Sequence, residues 1–180
     1  MTTTWSTPGS VVVCSRSRAA NLLSSTNTRP QIGAFVSICC QSTNDCGPQS
    51  HQRPYGLSKL FDVPKLLMRF DDDSSDTPYG PKMEHVELVI NFFTPLLSYF
   101  RNEEEKKLVV HCYAGIARST AVTLIGFAMA RGAGMEPLAM RDLLAASENG
   151  DRIGPNPVLV GLADEALKRD RRLIQASISW

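Results

Sequence analysis

The run Val109-Val110-His111-Cys112-Tyr113-Ala114-Gly115-Ile116-Ala117-Arg118-Ser119-Thr120 sets a thiol, a guanidinium and a hydroxyl at fixed spacing. An apolar stretch leads into Cys112, small residues follow, and a helix-forming stretch begins near Arg118. A strand, a tight loop and a helix in that order suit an anion. The amides from Tyr113 through Ala114, Gly115, Ile116 and Ala117 to Arg118 can turn inward as a nest of N–H donors. The helix start adds the positive end of its dipole. Gly115 permits a backbone conformation that a side chain hinders. Arg118 offers a planar fork matched to two oxygens of a phosphate. Cys112 lies at the base of this cradle, where donors that bind a dianion also stabilise a thiolate. Such a thiolate can attack phosphorus and form a covalent phospho-enzyme. Ser119 can donate its hydroxyl to the Cys112 sulfur and ease its departure in a second step. His111 is assigned to holding the loop by hydrogen bonds.

The elements that must position these groups follow from the patterning. Val11 to Cys14, Gly33 to Cys39, Lys65 to Phe70 and Leu108 to His111 read as strands, the last being the most central. Arg18 to Leu23 reads as a short helix. From Pro81 onward, Val86, Val89, Ile90, Phe93, Leu96 and Leu97 recur at helical spacing, with Pro95 marking a kink or boundary. Arg118 to Met129, Glu136 to Ala146 and Val158 to Ala176 read as three more helices. Gln41 to Ser58 is polar and rich in Gly, Pro and Ser, a long loop and the expected wall of the pocket. Strands alternating with helices, then helices alone, predict an α/β fold: one domain over 1–180, with 1–9 a loose lead-in, built on a central mainly parallel sheet flanked by helices.

Composition excludes several classes. A formal charge of +1 creates no global field for nucleic acid or an anionic membrane. No apolar run approaches the ~18 residues of a membrane span. The opening Met-Thr-Thr-Thr-Trp-Ser lacks the pattern of a signal peptide, and five cysteines are an odd number. Free thiols in the cytoplasm are therefore expected.

His111-Cys112-x5-Arg118-Ser119 resembles the signature of the protein tyrosine phosphatase superfamily. The short chain is similar to its dual-specificity-like branch, and the loop Cys-Tyr-Ala-Gly-Ile-Ala-Arg-Ser-Thr is most similar to small bacterial members. The turn Arg152-Ile153-Gly154-Pro155-Asn156-Pro157, followed by a helix, resembles the C-terminal end of those proteins. The resemblance reaches from about Phe70 to Ile174 and implies a three-layer cysteine-phosphatase fold. It implies a protein tyrosine or dual-specificity phosphatase acting without metal or organic cofactor. Its substrate would be a phosphorylated protein, phosphotyrosine foremost, or an aryl phosphate. Lipid-phosphate members commonly place lysines in the loop, and this loop has none. A phosphatase of a small-molecule or lipid phosphate, and a weakly catalytic phosphate-binding module, are the alternatives.

The resemblance also implies an aspartate on a loop after a neighbouring strand, protonating the leaving oxygen and then activating water. Asp71, Asp72, Asp73 and Asp76 follow the strand ending at Phe70. In the bacterial members this aspartate comes one or two positions after the strand's last aromatic. Asp72 is the choice, with Asp71 and Asp73 as alternatives. A calcium loop fails for want of the glycine and closing glutamate at their offsets.

Other residues are read as follows. Cys14, Cys39 and Cys40 end strands, so packing is the simple account and a protective disulfide to Cys112 the alternative. Cys39, Cys40, Cys46 and His51 lack a Cys-x2-Cys pair, so no metal site is assigned. Tyr113 packs along the pocket wall or lies on the surface. Lys168 to Arg172 reads as a solvated basic helix end. Pro155-Asn156 starts the last helix and backs the active loop.

Overall fold

The computed structural model describes residues 9–42, 52–75 and 77–179. The four apolar runs form strands β1 (Val11–Ser15), β2 (Ile32–Cys39), β3 (Lys65–Arg69) and β4 (Lys107–Cys112). All pair in parallel, in the order β1-β4-β2-β3. β4 thus has a neighbour on each side and is buried on both faces, which explains its unbroken apolar run. β3 is an edge strand, and it exposes Lys65, Leu67 and Arg69.

Seven α-helices follow or precede these strands among the described residues: α1 (Arg16–Ser24), α2 (Met83–Phe93), α3 (Leu97–Phe100), α4 (Arg118–Arg131), α5 (Glu136–Ala146), α6 (Pro157–Ala166) and α7 (Arg172–Ile178). Alternation along each strand sorts its side chains into two cores. Val12, Cys14, Phe35 and Val109 face α1, through Ala19, Leu22 and Leu23. Val11, Val13, Val36, Ile38, Leu108, Val110 and Cys112 face the opposite layer, built on α4. This is the three-layer arrangement the alternation of elements predicts.

The central helix α4 is buried on every side from Arg118 to Ala128. Phe100 stacks edge-on against Phe93 and Phe127, with centroids 4.8 and 5.1 Å apart. Each such pair is worth about 0.5–1.5 kcal/mol beyond its buried area. Gly126 makes this approach possible: a Cβ there would stand 2.0 Å from the Phe100 ring. The helix whose first residue is Arg118 is therefore seated by close packing at its far end.

Two boundaries differ from the sequence reading, and the one at Pro95 falls as read. The helix after Pro81 starts at Met83, because the Lys82 N–H is taken by the His85 ring Nδ1 at 2.9 Å. At Pro95 the chain turns through a short 3-10 segment, Thr94–Leu96, so the boundary is realised. The single helix expected over Val158 to Ala176 is two. Lys168, Asp170 and Arg171 have positive φ, and the Asp164 carboxylate accepts the Arg171, Leu173 and Ile174 N–H groups that begin α7. Within this break Arg169 is buried, donating to the Ala128 carbonyl at 2.9 Å and lying 3.5 Å from buried Glu136. It is an internal strut rather than part of a solvated basic end.

No helix among the described residues is long and apolar enough to cross a membrane. Asp76, Cys46 and His51 lie outside the described residues, as does much of the expected pocket wall from Gln41 to Ser58. Cys14, Cys39 and Cys112 are free and buried, but Cys40 is disulfide-bonded, contrary to the expectation of free thiols throughout.

Candidate active site

The C-terminal ends of the parallel strands share one edge, where open α/β sheets place their ligands. Cys112 ends the central strand there, and Arg118 opens α4 six residues later. The loop between them is held from outside at every carbonyl. The Cys112 carbonyl accepts from the His111 ring Nδ1 at 3.1 Å. The Tyr113 carbonyl accepts from the Arg16 N–H at 3.1 Å. The Asn149 side chain donates to the Ala114 and Gly115 carbonyls at 3.2 and 3.0 Å. The Ile116 carbonyl takes the Gly154 N–H at 3.1 Å, and the Ala117 carbonyl takes the Asn156 N–H at 3.2 Å.

A trans peptide points its N–H opposite to its carbonyl. Six successive carbonyls turned outward therefore turn the N–H groups of residues 113 to 118 the other way. Gly115 shows the result directly, its N–H donating to the Cys112 sulfur at 3.3 Å. Gly115 has φ +76, and a Cβ on it would lie 2.6–2.8 Å from the backbone of Cys14 and Ser15. The Ser119 hydroxyl stands 3.2 Å from the same sulfur. Thr120 closes the loop against α4, donating to the Ala117 carbonyl at 2.8 Å.

His111 is wholly buried, and its pKa is lowered to about 4, chiefly by burial and further by the charges of Arg53, Arg16 and Arg118. A carbonyl can only accept, so Nδ1 carries the proton. Nε2 is then an acceptor, and the Ser37 hydroxyl donates to it at 2.8 Å. The neutral ring pins the loop's first peptide to β2. Arg118 is buried at the loop's end, its Nη1 donating to the Phe70 carbonyl at 3.1 Å and to the Cys40 sulfur at 3.0 Å. The guanidinium is thereby aligned by the end of β3 and the residue after β2.

The acidic cluster resolves into three environments. Asp71 is buried, its carboxylate accepting the Gln41 and Ser42 N–H groups at 2.7 and 3.0 Å. It latches the start of the loop after β2. Asp73 accepts from the Thr77 hydroxyl. Asp72 is exposed, and its Oδ1 accepts the Asn156 side-chain N–H at 2.9 Å. Of the three, Asp72 is the one presented to solvent and steered by a neighbour.

Asn156 emerges as a hub that the sequence shows only in part. Its Oδ1 caps α6 through the Leu159 N–H at 3.0 Å, which an Asn before a proline-led helix suggests. Its Nδ2 reaches both Asp72 Oδ1, at 2.9 Å, and the Asp73 carbonyl, at 2.8 Å, while its backbone N–H holds the Cys112–Arg118 loop through the Ala117 carbonyl. Asn149 and Ser37 are contacts the sequence does not announce. Asn149-Gly150 reads only as a turn, and Ser37 only as one polar residue in a buried strand. Tyr113 is exposed, with the Arg16 guanidinium 5.5 Å from its ring centroid, which places it on the rim. Burial, aided by the charge of Glu148, pushes the Cys14 thiol well up, so Cys14 stays protonated.

Comparison with known structures agrees with this architecture. A protein named Tk-PTP, solved in its active form, superposes with a TM-score of 0.54 at 16% identity, over 92% of this chain and 99% of that one. A variant of human DUSP28 gives a TM-score of 0.51 at 17% identity, over 90% of this chain and 94% of that one. The chain thus shares the α/β fold of these proteins. No protein-family model matches the sequence, and no curated protein matches it closely.

Proposed function

We propose that the chain is a cysteine-dependent phosphomonoesterase of the protein tyrosine and dual-specificity phosphatase type. The observation that carries this is the outward tethering of six successive loop carbonyls around Cys112, which leaves a ring of N–H donors over its sulfur. Cys112 attacks phosphorus as the thiolate. Arg118 and the amides of Tyr113, Ala114, Gly115, Ile116, Ala117 and Arg118 hold the equatorial oxygens as their charge develops. Asp72 protonates the leaving oxygen, and the phospho-cysteine forms as the ester bond breaks. The same carboxylate, now ionised, takes a proton from water as it attacks the phospho-cysteine. The Ser119 hydroxyl stabilises the departing thiolate.

Each step is supplied by the chain's own groups, so no metal or organic cofactor takes part. The substrate class is a phosphorylated protein, with phosphotyrosine foremost, or an aryl phosphate. The mechanism needs a reduced Cys112, and the free Cys112 thiol favours a cytoplasmic setting while the disulfide at Cys40 counts against it. The test is hydrolysis of p-nitrophenyl phosphate in the presence of a chelator, by wild type and Cys112→Ser. Turnover that persists with chelator and vanishes in Cys112→Ser is expected. Binding of phosphate analogues without turnover in folded wild type would convert the reading to a phosphate-binding module.

A further inference from the structure

The outward-turned carbonyls of the loop are not all held in the same way. Those of Tyr113, Ile116 and Ala117 are held by the backbone N–H groups of Arg16, Gly154 and Asn156. That of Cys112 is held by the adjoining His111 ring. The two in the middle share one side chain: Asn149 Nδ2 donates to the Ala114 carbonyl at 3.2 Å and to the Gly115 carbonyl at 3.0 Å. Carbonyls only accept, so the NH2 edge of the Asn149 amide must face the loop.

Those two peptides lie closest to the chemistry. The Ala114 carbonyl shares a peptide with the Gly115 N–H, which donates to the Cys112 sulfur at 3.3 Å. The Gly115 carbonyl shares one with the Ile116 N–H. Gly115, at φ +76, sits between them. Glycine has the widest backbone freedom, so these are the peptides most free to rotate. A rotated peptide presents its carbonyl to the sulfur and to any bound anion, in place of its N–H. That puts an acceptor into a ring of donors.

Asn149 is itself held firmly. Where α5 ends, Ser147 pairs with Val13 of β1, and the Glu148 N–H donates to the Val13 carbonyl at 3.0 Å. Arg18 Nε donates to the Glu148 carboxylate at 2.8 Å. The Asn149 N–H is taken by the Ser147 hydroxyl at 3.2 Å. The amide is thus carried on an extension of the sheet edge beside the loop.

Resting on the phosphatase reading, we propose that Asn149 is a positioning residue: its amide locks the 114–115 and 115–116 peptides with their N–H groups toward the phosphate, and so sets the oxyanion affinity of the loop. It touches neither the sulfur nor the substrate and acts through the two peptides it holds.

The experiment measures vanadate affinity by calorimetry and steady-state hydrolysis of p-nitrophenyl phosphate. It compares wild type, Asn149→Ala, Asn149→Asp and Arg18→Ala, each shown to be folded by circular dichroism. Asn149→Asp keeps the shape and removes the donor. Both Asn149 variants should bind vanadate more weakly by about tenfold or more and lose kcat/KM by ~10–10²-fold, with a raised KM, because misaimed donors fail the ground-state anion and the transition state alike. Arg18→Ala loosens the same segment and leaves the amide in place, so both quantities should stay within about twofold of wild type. Wild-type vanadate affinity and kcat/KM in Asn149→Ala would overturn the inference. So would a fall in kcat with KM and vanadate affinity unchanged, the mark of a partly unfolded population. Failure of both Asn149 variants to fold would assign the residue to the fold and overturn it as well. A wild type that binds vanadate but hydrolyses nothing would refute the phosphatase reading alone, and the vanadate affinities of the variants would still decide the role of Asn149. A wild type that neither binds nor hydrolyses would refute both.

Discussion

Replacing Asn156 separates two roles that one side chain performs. Its Oδ1 caps α6, and its Nδ2 bridges Asp72 and the Asp73 carbonyl. Asn156→Ala removes all three bonds. The cap contributes about 1 kcal/mol. The bond to the Asp73 carbonyl adds about 1 kcal/mol, and the bond to exposed Asp72 less, because water screens it. The sum is about 2 kcal/mol, or a fall in Tm of roughly 4–8 °C for a chain of this size. Asn156→Ser keeps an acceptor for the cap but is too short to span to Asp72, so its stability cost should be about half as large. Turnover should respond differently. Both variants free the Asp72 carboxylate, so both should lower kcat by about tenfold or more with little change in KM. Phenyl phosphate is the substrate to use, since its poor leaving group depends on protonation. Thermal melts and steady-state kinetics on the two variants give both readouts. A wild-type kcat in Asn156→Ser would refute the positioning role and leave Asn156 a cap only.

Three further outcomes follow from the same geometry. Asp72→Asn should reduce kcat on phenyl phosphate by ~10²–10³ while inhibition by vanadate stays unchanged; near-normal turnover would move the acid elsewhere. Gly115→Ala combines a positive φ with a Cβ driven against the backbone of β1, so it should cost about 3 kcal/mol or more and abolish turnover, read by denaturant unfolding and kinetics. His111 has a folded pKa of about 4 against an ordinary 6.5, so the native state binds fewer protons than the unfolded chain between those values. The stability it contributes is present in full above pH 6.5 and is lost as pH falls toward 4, about 3 kcal/mol in all. Unfolding free energies of wild type and His111→Gln across that window should converge by this amount at the acid end.

The sheet and most helices were legible because their burial imposes periodicity. β4 reads as a central strand since both its faces are covered, and α5 runs over the same residues in sequence and structure. The loop was legible because its chemistry is local: Cys112, Gly115, Arg118 and Ser119 act within one turn of chain. Long-range partners leave no such trace. The bond from Asn156 to Asp72 spans 84 residues, and that from His111 to Ser37 spans 74. Spacing cannot report either. The break between α6 and α7 escaped for a related reason. It is made by Asp164 accepting three N–H groups beyond it, whereas the residues in between look like an ordinary basic helix surface. Asp71, Asp72 and Asp73 were separable only once their partners were seen, because adjacent identical side chains differ solely in what they face.

The central claim is that Cys112 carries the phosphoryl group. The direct measurement is acid quenching of the wild-type protein within milliseconds of mixing with excess aryl phosphate, followed by peptide mapping for bound phosphate. A phosphorylated peptide containing Cys112, absent from Cys112→Ser, is the predicted result. Steady turnover with no phospho-cysteine trapped, or with phosphate on another residue, would contradict the account.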